Sequence, residues 1–236
     1  MASTGAIESV GLHVDRLLPN ADAGTLRRLE AGARRQSFGS RDVLHARGIP
    51  LPPFVVLDGH VMHRRVAETG QVYAAQITGP GYFGGLHSIS DRDGEAFYEL
   101  VAMTAGTWAT WDPHFLRGLA LEDAGLAVGL LDLSSEFSVV LNVRLDERSF
   151  ETARQRMAAI LTRYGRAIFD TPHPVAQRAD LAAMIGTSRV MMYRTLRGLE
   201  ADGLVKRERS GGIKILDESR LADLVTVAAP EDAPAL

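Results

Sequence analysis

Residues 178–216 contain the pattern that most constrains the fold of this chain. Their sequence is RADLAAMIGTSRVMMYRTLRGLEADGLVKRERSGGIKIL. It predicts two short helices separated by a tight turn at Gly186, followed by a β-hairpin with a turn at Ser210-Gly211-Gly212. The glycines supply the positive φ angles that such a turn needs. Two helices followed by a hairpin in this order indicate a winged helix-turn-helix.

The second predicted helix has two distinct faces. The side-chain oxygen of Thr187 or Ser188 can cap its N-terminus. A stripe with spacings of four and three is expected to be buried and consists of Met192, Leu196 and Leu199. A different sector carries Arg189, Val190, Tyr193, Arg194 and Arg197. Because a helix that presents cations and an aromatic ring outward fits the major groove of B-DNA, we predict DNA binding.

The exposed residues are assigned two roles on DNA. The predicted base readers are Arg189, Val190, Tyr193 and Arg194, since a guanidinium suits the O6 and N7 atoms of guanine. The residues expected to position the protein on phosphates are Thr187, Ser188, Arg197, Lys206, Arg207 and Arg209. The alternative is a small α+β core whose arginines are simply solvated.

Charge is distributed unevenly along the chain. The whole chain has a net charge of −3, but residues 148–220 contain 14 Lys and Arg against 8 Asp and Glu, a balance of +6. The remainder therefore carries −9. The predicted DNA-binding part is the basic part, as expected for a nucleic-acid-binding domain.

Composition excludes several classes of protein. The 236 residues include no cysteine, so disulfides, thiolate zinc sites and cysteine-ligated iron–sulfur clusters are excluded. We find no run of about eighteen apolar residues and no signal-peptide pattern, and we therefore expect a cytoplasmic protein without a membrane span. At this length two domains are expected.

Short apolar segments at 54–57, 61–66 and 72–77 are separated by turn signals. The turns are Asp58-Gly59, Thr69-Gly70 and Gly79-Pro80-Gly81. Turn signals at this close spacing predict an antiparallel β-roll or barrel rather than a parallel sheet.

The pattern changes to a helical period between residues 122 and 144. The spacing of four, three, four and three predicts a coiled-coil dimer seam formed by Leu126, Leu130, Leu133, Phe137 and Val140. The alternative is a helix packed on its own β-roll, because Leu131, Val139 and Leu141 widen the apolar face. A dimer would read two half-sites about one helical turn apart.

This order of elements resembles the Crp/Fnr (cyclic-AMP receptor protein/fumarate-nitrate regulator) family of bacterial transcription factors. The resemblance rests on LAAMIGTSRVMMYRTLRGLEADGLV, on LDGHV around Gly59 and on GPGYFGG around Gly81. It implies an α+β protein with a cyclic-nucleotide-binding-like β-roll (1–120), a long dimerisation helix (121–147) and a winged helix-turn-helix (148–225). The tail (226–236) is expected to be disordered because it consists largely of Ala, Pro and acidic residues. The implied hinge lies near Leu145-Asp146-Glu147. The implied partners are pseudo-palindromic double-stranded DNA, a second copy of the chain and RNA polymerase, with activation and repression both open.

The sensor half departs from the nucleotide-binding members of that family. There a Gly-Glu pair and an Arg-Ser pair hold the cyclic nucleotide, because a buried phosphate needs a fixed cation. In this chain the glutamate position falls at Leu86 and the Arg-Ser pair at Ala96-Phe97. The candidate effector pocket is Gly84, Gly85, Leu86, Ala96 and Phe97. We expect no ordinary cyclic-AMP control and no cofactor.

Several alternatives for the sensor half stay open. A shifted alignment would bring in Arg92 or Glu95 and allow cyclic AMP in a non-standard pose, and an unidentified small molecule could bind instead. Haem would need an axial histidine, for which the candidates are His45, His60, His63, His87 and His114.

The recognition helix also departs from the family pattern Ser-Arg-Glu-x-x-x-Arg. Val190 stands where the family has the carboxylate that could accept from cytosine N4. We therefore predict a changed DNA site, with an apolar contact from Val190 to a thymine methyl group.

A cupin-type metalloenzyme is the alternative from another class. Chelating histidines on one strand must be two residues apart to share a face, whereas His60 and His63 are three apart. We expect both to be exposed beside Arg64 and Arg65. The sequence contains no Ser/His/Asp arrangement, P-loop or Rossmann fingerprint, so neither an enzyme nor a metal site is predicted.

Overall fold

The computed structural model describes residues 10–68, 72–90, 94–170 and 178–225. The predicted tail at 226–236 and the alternative ligand Arg92 lie outside these ranges. The chain divides into two compact units, one formed within 1–63 and 77–138 and the other within 64–76 and 139–235.

The first unit begins with two helices and contains most of the β-structure. The helices are α1 (Val10–Leu17) and α2 (Ala23–Gly32). The strands are β1 (Arg34–Phe38), β2 (Val43–His45), β3 (Phe54–Asp58), β4 (Val61–Val66), β5 (Val72–Thr78), β6 (Phe83–Gly84), β7 (Glu99–Ala102) and β8 (Gly106–Thr110), with a short 3-10 helix (Leu86–Ile89) between β6 and β7. They form two four-stranded sheets, β1-β8-β3-β6 and β2-β7-β4-β5, of which β4 and β5 extend into residues 64–76.

The predicted antiparallel β-roll is confirmed. β8 pairs antiparallel with both β1 and β3, and β2 pairs antiparallel with β7. The turn glycines Gly59 and Gly81 have φ angles of 85° and 90°. A Cβ on Gly59 would lie 2.6 Å from the carbonyl oxygen of Ala105, so this turn requires glycine for space as well as for conformation.

Two buried clusters form the core of the first unit. The helical cluster joins α1, α2, α3 (Pro113–Glu122) and the start of α4 to one sheet. In it Trp111 stacks on Phe83 at 5.4 Å and donates its indole N–H to the Leu29 carbonyl at 2.7 Å. The roll cluster surrounds Phe54, whose ring lies 5.4 Å from that of Trp108 and 5.9 Å from that of Tyr82.

The longest helix, α4 (Ala124–Phe150), starts at a carboxylate that satisfies three backbone groups. Asp123 accepts from the N–H groups of Gly125, Leu126 and Asp22 at 2.8, 3.1 and 2.8 Å. These bonds, that from Asp22 first, hold the pKa of Asp123 below its ordinary value. The helix is continuous through 145–147, where the resemblance places a hinge, and ends at Phe150.

The predicted dimer seam on α4 requires correction. Leu126 and Leu130 are buried in the helical cluster of their own chain, and Leu133 packs against that cluster. Phe137 packs against the roll cluster, and Val140 is half-buried. Leu126 and Leu130 therefore stabilise the protomer, as the alternative of a helix packed on its own roll required, whereas Leu133, Phe137 and Val140 remain half-buried. Helical periodicity marks an apolar face but does not tell which surface covers it.

The opposite face of α4 is exposed, and its apolar side chains are accompanied by the carboxylates of Asp132 and Asp146. Its larger apolar side chains are Val128, Leu131, Val139 and Leu145, and Leu131 is 64% exposed. The segment Ala124–Val143 has a mean hydropathy of 1.5, long and apolar enough to cross a membrane by length and composition, although we predicted no such run. The burial of Leu126 and Leu130 in the helical cluster argues against that use.

The second unit contains a helical core and a hairpin. Its elements are α5 (Ala153–Ile168), α6 (Arg178–Met184), α7 (Arg189–Ala201), β9 (Val205–Arg207), β10 (Ile213–Ile215) and α8 (Glu218–Ala222), together with the end of α4. α5 contacts α7, α8 and β10. The predicted order of two helices and a hairpin is confirmed.

Candidate nucleic-acid interface

The turn between α6 and α7 is closed by backbone hydrogen bonds. Gly186 has a φ angle of 63°, and its N–H donates to the Ala183 carbonyl at 3.3 Å. The N–H of Thr187 donates to the Ala182 carbonyl at 3.0 Å. This is a Schellman motif, in which a left-handed glycine satisfies the last carbonyls of a helix. Of the two predicted caps for α7, Ser188 is the one used, since its Oγ accepts from the Met191 N–H at 3.2 Å.

The buried face of α7 fixes the orientation of the helix. Met192, Leu196 and Leu199 are fully buried, as the spacing predicted. At its C-terminus Gly203 has a φ angle of 72°, and the Leu204 N–H donates to the Leu199 carbonyl at 3.0 Å in a second Schellman motif. The start of the recognition helix is therefore defined by the Ser188 side chain after the Gly186 turn, and its end by the backbone at Gly203.

The outward face of α7 carries all the side chains that were assigned to base reading. Arg189, Val190, Tyr193 and Arg194 are exposed, and Val190 is 81% exposed. Arg197 is exposed one turn further along. Met191 is also exposed. The sequence pattern placed Met192 in the buried stripe and gave Met191 no role on the outward face. The face thus alternates two guanidinium groups with apolar and aromatic surface.

The hairpin places two lysines side by side. β9 pairs antiparallel with β10, and Lys206 lies directly opposite Lys214. Both are exposed, and like charges in directly opposed positions are unfavourable. Lys214 was not predicted, although the alternation Ile213-Lys214-Ile215 gave the signal. Gly211 at the tip has a φ angle of 98° as expected, and Arg209 is exposed beside it.

Arg207 differs from the other predicted phosphate contacts. Its Nε and Nη2 atoms donate to Oε2 of Glu200 at 2.6 and 2.5 Å, and its backbone N–H donates to Oε1 at 3.1 Å. The guanidinium is thus engaged inside the domain, whereas the prediction treated every wing cation alike. Within the described part of the chain, no such ion pair is formed by Arg189, Arg194, Arg197, Lys206, Arg209 or Lys214.

Other arginines of the basic segment support the scaffold. Arg154 pairs with Asp202 at 2.5 Å, and Arg166 pairs with Glu218. Arg156 donates from Nε to the Ile185 carbonyl at 2.8 Å. The positive charge of residues 148–220 is therefore divided between internal pairs and the outward surface of α7 and the wing.

The five residues of the predicted effector pocket do not form one cavity wall. Leu86 packs against the helical cluster, Ala96 is buried in the roll cluster and Phe97 is 74% exposed. A Cβ on Gly85, whose φ is 74°, would lie 2.3 Å from the Pro52 carbonyl oxygen. A separate open groove of about 590 Å³ lies on the roll, and none of the five residues lines it; its walls are Gln36, Ser37, Phe38, Asp42, Val43, Leu44 and Trp108.

The two histidines of β4 and its turn are not both exposed, which corrects the prediction. His63 is buried, lies 3.2 Å from the Thr78 hydroxyl and meets the Tyr82 ring edge-on at 5.6 Å. His60 is half-buried; burial lowers its pKa and the charge of Asp58 opposes that shift. Within the described ranges no group of three His, Cys, Asp or Glu residues could hold a metal ion.

Comparison with known proteins begins with the C-terminal part of the chain. Residues 155–224 match the family model of the Crp-like helix-turn-helix domain. They include α7 and the wing. This part of the chain is therefore similar to the helix-turn-helix domain of Crp-like proteins. A comparison with curated proteins found no significant sequence match.

Solved Crp/Fnr structures share the fold over most of this chain. The c-di-GMP responsive global regulator CLP of Xanthomonas campestris is 21% identical with a TM-score of 0.66, over 82% of this chain and 99% of that one. FixK2 from Bradyrhizobium japonicum is 17% identical with a TM-score of 0.67, over 84% and 99%. A CRP/FNR-family transcriptional regulator from Thermus thermophilus is 24% identical with a TM-score of 0.60, over 81% and 97%. The resemblance of the sequence to the Crp/Fnr family is thus confirmed for the helix-turn-helix domain and for the fold.

Proposed function

We propose that the chain is a transcriptional regulator of the Crp/Fnr type, a cytoplasmic homodimer that binds a pseudo-palindromic DNA site and controls transcription from it. The observation that carries the proposal is the outward face of α7, where Arg189 and Arg194 flank Val190 and Tyr193 and form no ion pair with any described residue. The opposed Lys206 and Lys214 support it, because a phosphate between them would relieve their repulsion.

The proposal is tested by fluorescence anisotropy on duplexes recovered by selection from random DNA. We expect selective, salt-sensitive binding and a recovered site with two half-sites about one helical turn apart. Binding that is equally tight to random duplexes would contradict sequence-specific recognition. Transcription in vitro from a promoter that contains the site, with added RNA polymerase, then shows whether the protein activates or represses.

Val190 gives the site its expected departure from the family pattern. An apolar side chain at this position can contact the C5 methyl group of thymine but cannot accept from cytosine N4. Replacing single thymines of the selected half-site by uracil removes only that methyl group. We expect one such replacement to weaken the wild-type protein and to leave the Val190→Ala variant unaffected.

The proposed dimer uses the exposed face of α4 rather than the predicted seam. Val128, Leu131 and Val139 lie on this face, and Ser135 and Asn142 continue it with small or uncharged side chains. A long exposed apolar helix face without basic residues fits a second identical helix. A homodimer also matches the two-fold symmetry expected of the DNA site.

The roll is proposed to act without ordinary cyclic-AMP control. Leu86, Ala96 and Phe97 offer neither a carboxylate for the ribose nor a cation for the phosphate. Anisotropy with and without cyclic AMP tests this directly, and we expect the same affinity for DNA in both. Because the Xanthomonas relative is described as c-di-GMP responsive, cyclic di-GMP is the second nucleotide to titrate. Nucleotide-dependent DNA binding would instead support a non-standard pose.

A further inference from the structure

We propose that Glu200 and Arg207 form a clamp that positions the wing against the recognition helix, and that neither residue contacts DNA. The inference rests on the proposed DNA-binding function and concerns how the wing is held. Glu200 lies in the last turn of α7, and Arg207 is the last residue of β9.

The geometry of the clamp joins one carboxylate to both the backbone and the side chain of the wing strand. Oε2 accepts from Nε and Nη2 of Arg207 at 2.6 and 2.5 Å, while Oε1 accepts from the Arg207 N–H at 3.1 Å. The guanidinium lies on one carboxylate oxygen and the backbone N–H on the other, so the contact fixes orientation as well as distance. The carboxylate therefore determines where β9 runs relative to α7.

The partial burial of Arg207 and Glu200 favours an ion pair within the domain over contact with DNA. The side chains of Arg207 and Glu200 are only 31% and 30% exposed, so the ion pair is partly shielded from solvent. Glu200 neutralises the guanidinium that a phosphate contact would need. Lys206 precedes Arg207 and lies opposite Lys214, so both exposed wing lysines take their positions from the strand that Glu200 holds.

The clamp and a simple charge argument predict opposite changes in the DNA affinity of the same variant. Glu200→Gln removes a negative charge from a DNA-binding surface, which by long-range electrostatics alone would tighten binding. If the carboxylate positions the wing, the variant must bind more weakly. The loss should affect specific and random DNA alike, since wing residues bind phosphates.

The experiment measures dissociation constants of the full chain for the selected site and a random duplex over a salt series. Glu200→Gln is expected to weaken binding to both by about fivefold for each phosphate that the wing no longer binds at physiological salt, and to lower the slope of log K against log salt by about 0.9 per phosphate. Arg207→Lys keeps the charge but removes the guanidinium Nε donor, and we expect it to weaken binding by a similar factor. The double variant should be no weaker than either single variant.

Asp202→Asn is the matched control. Asp202 is the C-cap of the same helix, but it pairs with Arg154 of α5 and not with the wing. Its neutral variant reports the effect of charge alone and should not reduce the salt slope. Circular dichroism and thermal unfolding of each variant check the fold, and Arg207→Lys alone suffices if Glu200→Gln does not fold.

Two results would overturn the clamp. One is tighter binding by Glu200→Gln than by wild type; the other is unchanged binding by Arg207→Lys together with weaker binding by Arg207→Gln, which would make Arg207 a direct phosphate ligand. Absence of selective DNA binding by the wild-type protein would instead contradict the proposed function.

Discussion

At the scale of single residues, arginine has two different uses in the second unit. Arg189 and Arg194 project outward from α7, whereas Arg154 and Arg207 are held by carboxylates of the domain. The sequence pattern placed the α7 arginines away from the buried stripe, because the helical period alone determines which residues of α7 share a face. It could not identify Arg207 as paired, since Glu200 is seven positions away and meets it only through the turn into the wing.

The first prediction concerns Arg189. Arg189→Ala should weaken binding to the selected site by about 1–3 kcal/mol and relax the preference at one base position, because the variant cannot form bidentate hydrogen bonds to a base. Binding to random DNA should change much less. Competition anisotropy with single-base variants of the site provides the measurement, and an equal loss on specific and random DNA would exclude base reading by Arg189.

A second prediction concerns the pH dependence of stability through His60. Its pKa in the folded protein lies below the ordinary value of 6.5, chiefly because burial disfavours the charged ring. The unfolded chain therefore binds more protons between the two pKa values. The contribution of His60 to stability is fully present above pH 6.5 and is lost as pH falls from there through the folded pKa.

Urea unfolding of wild type and His60→Gln at a series of pH values tests this. The free energy of unfolding of the wild type should fall more steeply below pH 6.5 than that of the variant. Parallel curves for the two proteins would show that His60 does not contribute. The comparison isolates His60 from the buried His63, which both proteins retain.

At the scale of elements, local signals predicted helix ends well and helix partners poorly. Ser188, Gly186 and Gly203 end or begin helices through contacts within a few residues, and the first two were anticipated. Leu126 and Leu130 of α4 were assigned to a dimer seam but are covered by their own core, because their spacing is the same in both cases. Long-range packing decides which surface covers an apolar helix face, and a pattern within one helix cannot predict it.

A third prediction concerns the start of α5. Thr152 and Gln155 form a capping box, in which Thr152 Oγ1 accepts from the Gln155 N–H at 3.3 Å and Gln155 Oε1 accepts from the Thr152 N–H at 2.9 Å. Thr152→Ala should lower the free energy of unfolding by about 1 kcal/mol, whereas Thr152→Ser should keep most of the stabilisation that the cap provides. Chemical denaturation measures both, and equal losses would rule out the hydroxyl as the cause.

At the scale of the whole molecule, the α+β class and the antiparallel roll could be predicted because turn glycines and strand periods are local. The filling of the roll by Phe54, Tyr82, Trp108 and His63 could not, since these residues come from different strands. For the same reason the buried state of His63 was missed. The dimeric state is a property of two chains and is therefore tested in solution.

The fourth prediction tests the dimer. Leu131→Asp places a charge in the middle of the exposed face of α4 and should raise the dimer dissociation constant at least tenfold, or about 1.4 kcal/mol. Ile49→Asp, at another exposed apolar side chain of the first unit, is the control and should remain dimeric. Sedimentation velocity measures both. An unchanged dimer in Leu131→Asp would place the interface elsewhere.

The Ser188 cap and the Gly203 Schellman motif that bound α7 allow the outward face of the recognition helix to vary without a change in its ends. Its start and its end are set by Gly186, Ser188 and Gly203, and its attachment is set by the inward stripe. The outward positions 189, 190, 191 and 193 can therefore vary without disturbing the frame that holds them. New operator preferences should be accessible by randomising these four codons alone, and the same freedom would let such regulators diverge onto separate promoters within one genome.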